Sequence, residues 1–248
     1  MIKGQADLRK AYQDDRVAQE YVGTRFVSPL GALLHDRQVR VVRDLVAREH
    51  LQRVAEVAPG PARVTVDVAP VLPHVTLIDA SAQMLSEARA RLKTRGLADR
   101  ARLVQADAFQ LPINSQFELV YSFRLIRHFQ REDRLRLYQQ IRAILIPNGW
   151  LIFDAVNAVV SAPFRAGKGL DEHAHYDALL RPDEIEQELR ESGFRVASLV
   201  GVQRRFPTLM KFQTLLAPRS TMLARAAMEV IDRSGGEPLE WIVVCRRE

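Results

Sequence analysis

The stretch EVAPGPARV, residues 56–64, follows a short β-rich run and has the outline of a nucleoside- or phosphate-binding turn. Such turns normally carry three glycines, and here only the central one, Gly60, is present. Alanines stand at positions 58 and 62, while prolines at 59 and 61 fix φ and remove two backbone N–H donors. The turn is therefore predicted to be stiff and to bind anions less well than a glycine-rich loop.

The two alanines change the energetics of this turn. If Ala58 takes a positive φ, the left-handed conformation costs about 1–2 kcal/mol. If φ is negative, the main difference from glycine is the bulk of one methyl group. Neither cost is prohibitive, so we expect the turn to keep a ligand-binding role with weakened affinity.

Short β-rich runs alternate with helical patterns from residue 53 onward. The runs are RVAEVA (53–58), VTLIDA (75–80), ARLVQA (101–106), FELVYSF (117–123), WLIFDAV (150–156), FRVASLVGV (194–202) and LEWIVVCRR (239–247). Strands separated by helices indicate βαβ crossovers. The pattern predicts a Rossmann-like α/β fold, with a seven-stranded, mostly parallel sheet and helices on both faces.

Capping residues and apolar spacing predict the helices. Ser81 and Gly96 bound one helix as N-cap and terminal glycine. Ser28 and Pro29 open another, inside an N-terminal helical lid over the carboxyl edge of the sheet. A third helix covers residues 131–145 and places four apolar side chains on one face. These are Leu135, Tyr138, Ile141 and Leu145.

Between the last two strands, residues 207–231 form a predicted helical hairpin that is interrupted at Pro218 and rich in Leu and Met. Two interpretations stay open. The composition is typical of core or lid packing. Because charges are few (Lys211, Arg219, Arg225), the hairpin also suits peripheral contact with a membrane surface or a lipid-like substrate.

Composition bounds the class of protein. The chain has 248 residues, of which 47% are hydrophobic, enough for a large core. We expect a soluble, cytoplasmic protein, because no apolar run is long enough to span a bilayer and the N-terminus is charged. The single Cys245 excludes an internal disulfide and is expected in a strand. One domain over 1–248 is predicted, with a lid (1–50), a cofactor-binding core (51–160) and a substrate-side insert, hairpin and last strands (161–248).

The formal net charge of +6 raises the question of partners. The arginines are dispersed along predicted helices with carboxylates between them, which is typical of solvated helix faces. Nucleic acid is therefore not the favoured partner, although phosphate neutralisation would suit the charge. An anionic small molecule or a membrane surface suits it equally well, and the sequence does not indicate an oligomeric state.

The residues that follow the strands predict a ligand site. In doubly wound sheets, ligands bind outside the carboxyl ends of the strands. The first strand is followed by the turn at 58–62 and the second ends at Asp79. Asp107 follows the third strand, and residues 122–124 follow the fourth. An acid that meets ribose hydroxyls stands ~20 residues after the glycine turn, and the spacing from Gly60 to Asp79 is close to that value. A nucleoside ligand is therefore predicted.

Five motifs in chain order resemble the class I S-adenosylmethionine-dependent methyltransferases. The family's acidic, glycine-rich turn E/D-x-G-x-G-x-G is matched by residues 56–62. The next motifs are matched by IDASAQML (78–85), ADAFQLP (106–112), FELVYSFRLIRHFQ (117–130) and IRAILIPNGWLIF (141–153). The likeness is strong over 50–156 and moderate over 176–202. The likeness implies a last strand antiparallel to its neighbours. Within the family, the sequence is similar to small-molecule enzymes of ubiquinone and menaquinone biosynthesis.

The same resemblance implies S-adenosylmethionine as cofactor, S-adenosylhomocysteine as product and a set of contacting residues. That set is Tyr21, Arg25, Glu56, Ala58, Gly60, Asp79, Ala80, Met84, Asp107, Ala108, Phe109, Ser122 and Arg124. Glu56 and the backbone at 58–60 would face the methionine end, and Asp79 the ribose. Asp107 would meet the adenine amino group, with Phe109 and Met84 flanking the ring.

The remaining contacts that the resemblance implies lie at the methionine end and in the lid. Ser122 and Arg124 would line the methionine part of the cofactor. Tyr21 and Arg25, in EYVGTRF, resemble a tyrosine and an arginine that the lid of related small-molecule enzymes supplies.

Histidines are the remaining candidates for catalysis. His128 is either a structural histidine at a helix start or a general base, since the ordinary pKa of histidine suits proton removal near neutral pH. His173 and His175 are spaced for a metal or base site, but an exposed loop explains them as well. No third ligand is evident, so no metal is predicted.

Three functions stay open from the sequence. The first is a methyltransferase acting on oxygen or carbon of a small, lipid-like or aromatic acceptor. The second is a nicotinamide-dependent oxidoreductase, which would need G-x-G-x-x-G and would not need ADAFQLP. The third is a catalytically silent methyltransferase-like binding domain, which the Ala58 and Ala62 departures suggest.

Overall fold

The computed structural model describes residues 28–111, 116–166 and 177–248. In those residues the strands are β1 (Arg53–Val57), β2 (His74–Asp79), β3 (Ala101–Gln105), β4 (Phe117–Ser122), β5 (Leu145–Asn157), β6 (Leu179–Leu180), β7 (Phe194–Arg204) and β8 (Pro238–Arg247). The α-helices are α1 (Pro29–Glu49), α2 (Thr65–Val68), α3 (Ala82–Thr94), α4 (Arg131–Ile144), α5 (Ala158–Ala166), α6 (Pro182–Glu191), α7 (Phe206–Leu215) and α8 (Thr221–Arg233).

The strands form one mixed sheet in the order β3-β2-β1-β4-β5-β8-β7, with the short β6 paired to β5. β8 is antiparallel to both of its neighbours, and the other pairs are parallel. All seven predicted runs are strands, and the two-residue β6 is an addition. The strand order reverses between β1 and β4, so a crevice is expected at their carboxyl ends.

Helices cover both faces of the sheet and produce two apolar cores. On one face, side chains of α1 and α3 such as Val42 and Leu92 pack against the sheet. On the other face, α4 and α6 contribute Ile141 and Leu189. The strands between them are nearly continuous apolar runs, as expected for parallel strands buried on both sides. The predicted Rossmann-like architecture is therefore confirmed.

The helix ends follow the predicted caps. The Ser28 hydroxyl accepts from Gly31 N at 3.1 Å, and the Ser81 hydroxyl accepts from Met84 N at 3.2 Å. α4 ends one residue early because Leu145 already belongs to β5. Its buried face also includes Leu137, whereas the predicted Leu135 is half-buried.

The predicted hairpin is present as α7 and α8, which dock on α1. A small cluster joins Leu33 of α1 to Leu209 and Met228. The buried Asp232 carboxylate accepts from the Arg37 guanidinium at 3.1 Å. Within the described residues, no helix has the length and apolar character needed to cross a bilayer.

Candidate functional site

A cavity of about 280 Å³ lies at the carboxyl ends of the central strands. It is where the strand order reverses, as expected for an open α/β sheet. Its lining residues are Glu56, Ala58, Pro59, Gly60, Arg63, Val64, Ile78, Asp79, Ala80, Ser81, Met84, Ala106, Asp107, Ala108, Phe109, Phe123, Arg124, Leu125, His128 and Phe129. Most of the predicted cofactor residues in the described part of the chain therefore meet in one cavity.

The turn after β1 keeps a glycine-type backbone although only one glycine remains. Ala58, Gly60 and Ala62 all have positive φ, at 53°, 54° and 56°. Ala58 N donates to Ile78 O at 2.8 Å, which holds the turn against β2. The left-handed conformation costs each alanine about 1–2 kcal/mol. The turn thus has a left-handed backbone at three positions, with strain at the two alanines.

Asp79 joins this turn to the end of β2. One carboxylate oxygen accepts from Gly60 N at 3.0 Å and the other from Ser81 N at 2.9 Å. Burial raises the pKa of Asp79 in spite of these backbone donors. A carboxylate has about four lone-pair positions, and the backbone donors do not fill all of them, so Asp79 can still accept from a ligand hydroxyl. This geometry suits the predicted ribose contact.

Glu56 is a buried acid in the cavity wall, with 3% of its surface exposed. It accepts from the Thr65 hydroxyl, which also bonds the Tyr121 hydroxyl at 2.9 Å. Tyr121 is the register partner of Glu56 on the adjacent parallel strand, so both side chains point to the same face. Burial raises the pKa of Glu56 to about 7, and Thr65 and Arg63 oppose the shift. A cationic ligand group in the cavity would favour the ionised form.

Part of the cavity wall is apolar and aromatic. Asp107 accepts from Phe109 N at 3.0 Å, which orders the loop after β3. The Phe109 ring meets Phe129 edge-on at 5.2 Å between centroids, and the Arg136 guanidinium lies 5.4 Å from the Phe109 centroid. Met84 lines the same cavity from α3 and is 2% exposed. A flat, largely apolar ring system matches these surfaces.

Residues 122–124 divide between the cavity and the interior. The Ser122 hydroxyl is fully buried and donates to Val57 O at 2.7 Å, so the structure does not bring it to the cavity lining. Arg124 does line the cavity, at a φ of 64°. Its backbone N–H donates to the buried Asp154 carboxylate at 2.5 Å, which stabilises this left-handed residue.

Arg63 is a cavity residue that the sequence did not single out. It is 7% exposed and donates to His35 Nδ1 and Gln38 Oε1, both at 2.5 Å. Since Nδ1 accepts, His35 Nε2 carries the proton and donates to Asp67 at 2.9 Å. Burial and Arg63 lower the pKa of His35. The signal available in the sequence was only the position of Arg63 directly after the turn.

His128 also lies in the cavity wall and belongs to a buried charge cluster. Its Nδ1 is 3.1 Å from the Asp177 carboxylate, which also accepts from Arg127 at 2.9 Å and Arg165 at 2.7 Å. His128 and Arg127 lower the pKa of Asp177 in spite of its burial. A carboxylate beside Nδ1 keeps the proton on that nitrogen, which makes Nε2 the basic atom. Sequence reasoning proposed His128 but missed Asp177.

Arg127 is the centre of this cluster. Its guanidinium is 5% exposed and donates to Asp154 at 3.1 Å, Asp177 at 2.9 Å and Glu240 at 2.8 Å. Asp154 lies in β5, Asp177 lies just before β6, and Glu240 lies in β8. Ala178 N further donates to Arg127 O at 2.6 Å. The loop that carries Arg124 and His128 is thereby attached to three distant parts of the chain.

Four predicted candidates lie outside the described residues. They are Tyr21, Arg25, His173 and His175. Their proposed roles in the lid and in a metal or base site stay predictions. In the described residues, no group of three or more potential metal ligands is brought together.

Comparison with known proteins agrees with this geometry. Residues 54–149 match the family model described as a methyltransferase domain. That range contains the strained turn, Asp79, Asp107 and His128.

Solved structures of methyltransferases share the fold. Magnesium protoporphyrin IX methyltransferase from Synechocystis PCC 6803, with bound S-adenosylhomocysteine, superposes with a TM-score of 0.71 at 13% identity, covering 99% of this chain and 100% of that chain. An S-adenosylmethionine-dependent methyltransferase from Clostridium acetobutylicum ATCC 824 gives 0.60 at 13% identity, over 86% and 92%. Mitomycin 7-O-methyltransferase MmcR gives 0.58 at 18% identity, over 80% of this chain and 50% of that one.

Residues 54–149 are therefore similar to a methyltransferase domain, and the chain shares the fold of these solved methyltransferases. The resemblance and the fold predicted from the sequence are confirmed. Neighbours of this fold were solved with bound S-adenosylhomocysteine or S-adenosylmethionine.

Proposed function

We propose that the protein transfers a methyl group from S-adenosylmethionine to an oxygen or carbon atom of a small, apolar or aromatic acceptor. The observation that carries the proposal is the pair of strand-tip acids around the left-handed turn. Asp79 is held by Gly60 N with acceptor capacity remaining, and a cation would favour the ionised form of the buried Glu56. These groups match a ribose and a cationic methionine end.

The cofactor-binding roles are assigned from the cavity wall. Asp79 accepts the ribose hydroxyls, and Glu56 faces the cationic methionine end. Asp107, Phe109 and Met84 form the adenine side. The turn has lost N–H donors at Pro59 and Pro61, but this cofactor has no pyrophosphate that requires close backbone approach.

When bound, S-adenosylmethionine supplies a methyl group on a sulfonium leaving group. The protein's main contribution is position, because alignment of the reacting atoms supplies roughly 7–11 kcal/mol of a barrier. The apolar side chains Phe123, Leu125 and Phe129 exclude water from the cavity wall beside His128. An aromatic acceptor is the chemistry that such a wall favours.

For an oxygen acceptor, we assign His128 as the general base. Nε2 takes the hydroxyl proton while the acceptor oxygen forms its bond to the methyl carbon. Asp177 holds the ring by Nδ1 and faces the imidazolium that results. The His128 hydrogen bond and the Arg127 guanidinium lower the pKa of Asp177 and so keep it ionised.

Calorimetric titration tests the cofactor assignment. S-adenosylhomocysteine should bind and NADH should not, whereas the reverse result would support the oxidoreductase alternative. Asp79→Asn should weaken S-adenosylhomocysteine binding at least about tenfold, since a ligand hydroxyl bond to a charged group is worth about 1.5–3 kcal/mol. The exposed Asp99→Asn is the matched control.

Transfer of a tritium-labelled methyl group to candidate phenols and quinols tests catalysis. His128→Asn should lower kcat about 10²–10⁴-fold without changing S-adenosylhomocysteine affinity. His74→Asn, at an exposed histidine, is the control. Wild-type rates in a folded His128 variant would refute the base assignment. Cofactor binding without transfer to any acceptor would support the silent binding domain.

A further inference from the structure

Exposed apolar side chains concentrate on the hairpin formed by α7 and α8. Seven large apolar residues are exposed among the described residues, and four of them belong to this hairpin. They are Leu215 (63%), Met222 (74%), Leu223 (56%) and Val230 (69%). We refer to these four residues as the outer hairpin face.

The outer hairpin face is not used by the described fold. α8 already buries Ala224 and Met228 on its inner side, where Met228 packs with Leu33 and Leu209. Met222 and Val230 lie two turns apart on the opposite side of the same helix. A surface helix of a globular domain needs one apolar stripe, so the second stripe indicates another contact.

The rim of the outer hairpin face is cationic. Lys211, Arg219, Arg225 and Arg233 are all exposed on the hairpin. Of its two carboxylates, Asp232 is buried against Arg37 and only Glu229 is partly exposed. Arg225 pairs with Asp36 at 2.8 Å and Arg233 with Glu229 at 2.7 Å, but exposed pairs of this kind are weak.

The root of the hairpin lies near the cavity edge of the sheet. β7 is parallel to the central strands in direction, since β8 is antiparallel to both β5 and β7. α7 therefore begins at the carboxyl edge of the sheet, where the cavity lies. There the Phe206 ring meets Phe164 of α5 edge-on at 5.3 Å between centroids.

We propose that the outer hairpin face docks the protein on the surface of an anionic lipid bilayer. Apolar side chains at the interface with Lys and Arg beside them are the chemistry that such a surface binds. Pairing of two copies through this face would bring the same four cations together, which disfavours self-association. If the proposed methyltransferase function holds, a lipid-soluble acceptor would then reach the cavity from the bilayer.

Co-sedimentation with vesicles tests the proposal on the full chain, without cofactor or acceptor, so that its outcome is independent of catalysis. The protein should sediment with vesicles of equimolar phosphatidylcholine and phosphatidylglycerol, and much less with phosphatidylcholine alone. The double variant Met222→Ser, Val230→Ser should lower the partition coefficient at least about tenfold. The double variant Lys211→Glu, Arg219→Glu should lower it at least about fivefold and reduce its salt dependence.

Two controls use residues at a distance from the hairpin. Val71→Ser removes an exposed apolar side chain, and Lys93→Glu reverses an exposed charge on α3, near the opposite end of the sheet. Neither should change vesicle binding. Absence of anionic-vesicle binding, or full binding by the Met222, Val230 variant, would overturn the proposal. A wild-type oligomer that this variant dissociates would also overturn the proposal and would indicate a second copy as the occupant. A variant that only lowers thermal stability would overturn it as well and would indicate that the chain itself covers the face.

Discussion

The proposed cofactor side of the cavity is held by backbone hydrogen bonds between neighbouring strand tips, whereas the His128 side is held by buried ion pairs between distant segments. On the first side, Asp79 bonds Gly60 N and Ser81 N, and Asp107 bonds Phe109 N. On the second side, Arg127 joins carboxylates that lie up to 113 residues away along the chain.

The difference teaches where stability and recognition reside in this molecule. On the first side, a change of one side chain should cost little stability, because the strands also hold the turn. A buried arginine with three carboxylates has no such alternative, since removal of one partner leaves uncompensated charges. Four substitutions can break or sharpen this contrast.

The largest effect is expected for Arg127→Ala. It leaves Asp154, Asp177 and Glu240 buried without their shared cation, so the free energy of unfolding should fall by about 3–5 kcal/mol. Urea denaturation measures the change. Arg48→Ala, at an arginine with 64% side-chain exposure, should stay within about 0.5 kcal/mol of wild type. A similar small loss for both variants would contradict the contrast.

Glu56→Gln should act on stability and binding in opposite directions. The pKa of Glu56 is raised from 4.5 to about 7, so the native state holds this proton more tightly than the unfolded state. Its contribution is fully present below pH 4.5 and is lost as pH rises through 7.

In the absence of cofactor, Glu56→Gln should therefore exceed wild type in unfolding free energy by about 3 kcal/mol near pH 8, with little difference near pH 4. Its S-adenosylmethionine affinity should be lower at pH 8, because the carboxylate that faces the cation is gone. Thermal denaturation across pH and calorimetric titration measure the two effects. A variant that is no more stable than wild type at high pH would show that the ionised, buried Glu56 does not destabilise the native state.

Gly60→Val tests the turn on the cofactor side. A β-branched residue at a φ of +54° is strained, and a Cβ here would lie 3.8 Å from Met84 Sδ in the cavity wall. Affinity for S-adenosylhomocysteine should fall at least about tenfold. Gly96→Val carries a similar strain at φ +66° with nothing within 4 Å of the new Cβ, so it should lose stability without losing affinity. Equal affinities in the two variants would refute this placement of the cofactor.

The smallest effect is expected for Ala58→Gly. Relief of left-handed strain of about 1–2 kcal/mol exceeds the entropy cost of glycine, so stability should rise by about 0.5–1 kcal/mol. Ala62→Gly should gain little, because the Ala62 methyl group is fully buried and its removal costs about 0.8 kcal/mol. Thermal unfolding compares the two. A larger gain at Ala62 would reverse this assignment of strain and packing.

The cofactor side could be predicted from the sequence because its residues lie within a few positions of strand ends. Asp79 and Asp107 close β2 and follow β3, and parallel strands bring their carboxyl ends to one edge. Gly60 marks the turn after β1, the neighbour of β2. The backbone strain at Ala58 could be stated only as a condition, since a sequence does not contain φ.

The His128 side could be predicted only in part. His128 was a candidate from its position after β4, but its partner Asp177 lies just before β6 and carries no local signal. Arg127 resembled one more dispersed arginine, and its burial depends on where β5 and β8 pass. Ser122 was predicted at the cofactor from its position in the motif, yet its hydroxyl donates to Val57 O in the interior.

By itself the sequence determined the alternating strands and helices, the strand tips that form the ligand edge, and the acids that stand there, because periodicity, caps and strand direction act over short stretches of chain. Only the tertiary structure decided that Arg63 is anchored by α1, that Arg127 gathers three carboxylates beside His128, and that Glu56 is buried against Tyr121. The physical reason is that burial and ion pairing depend on which distant segments become neighbours, and the register of strands sets that.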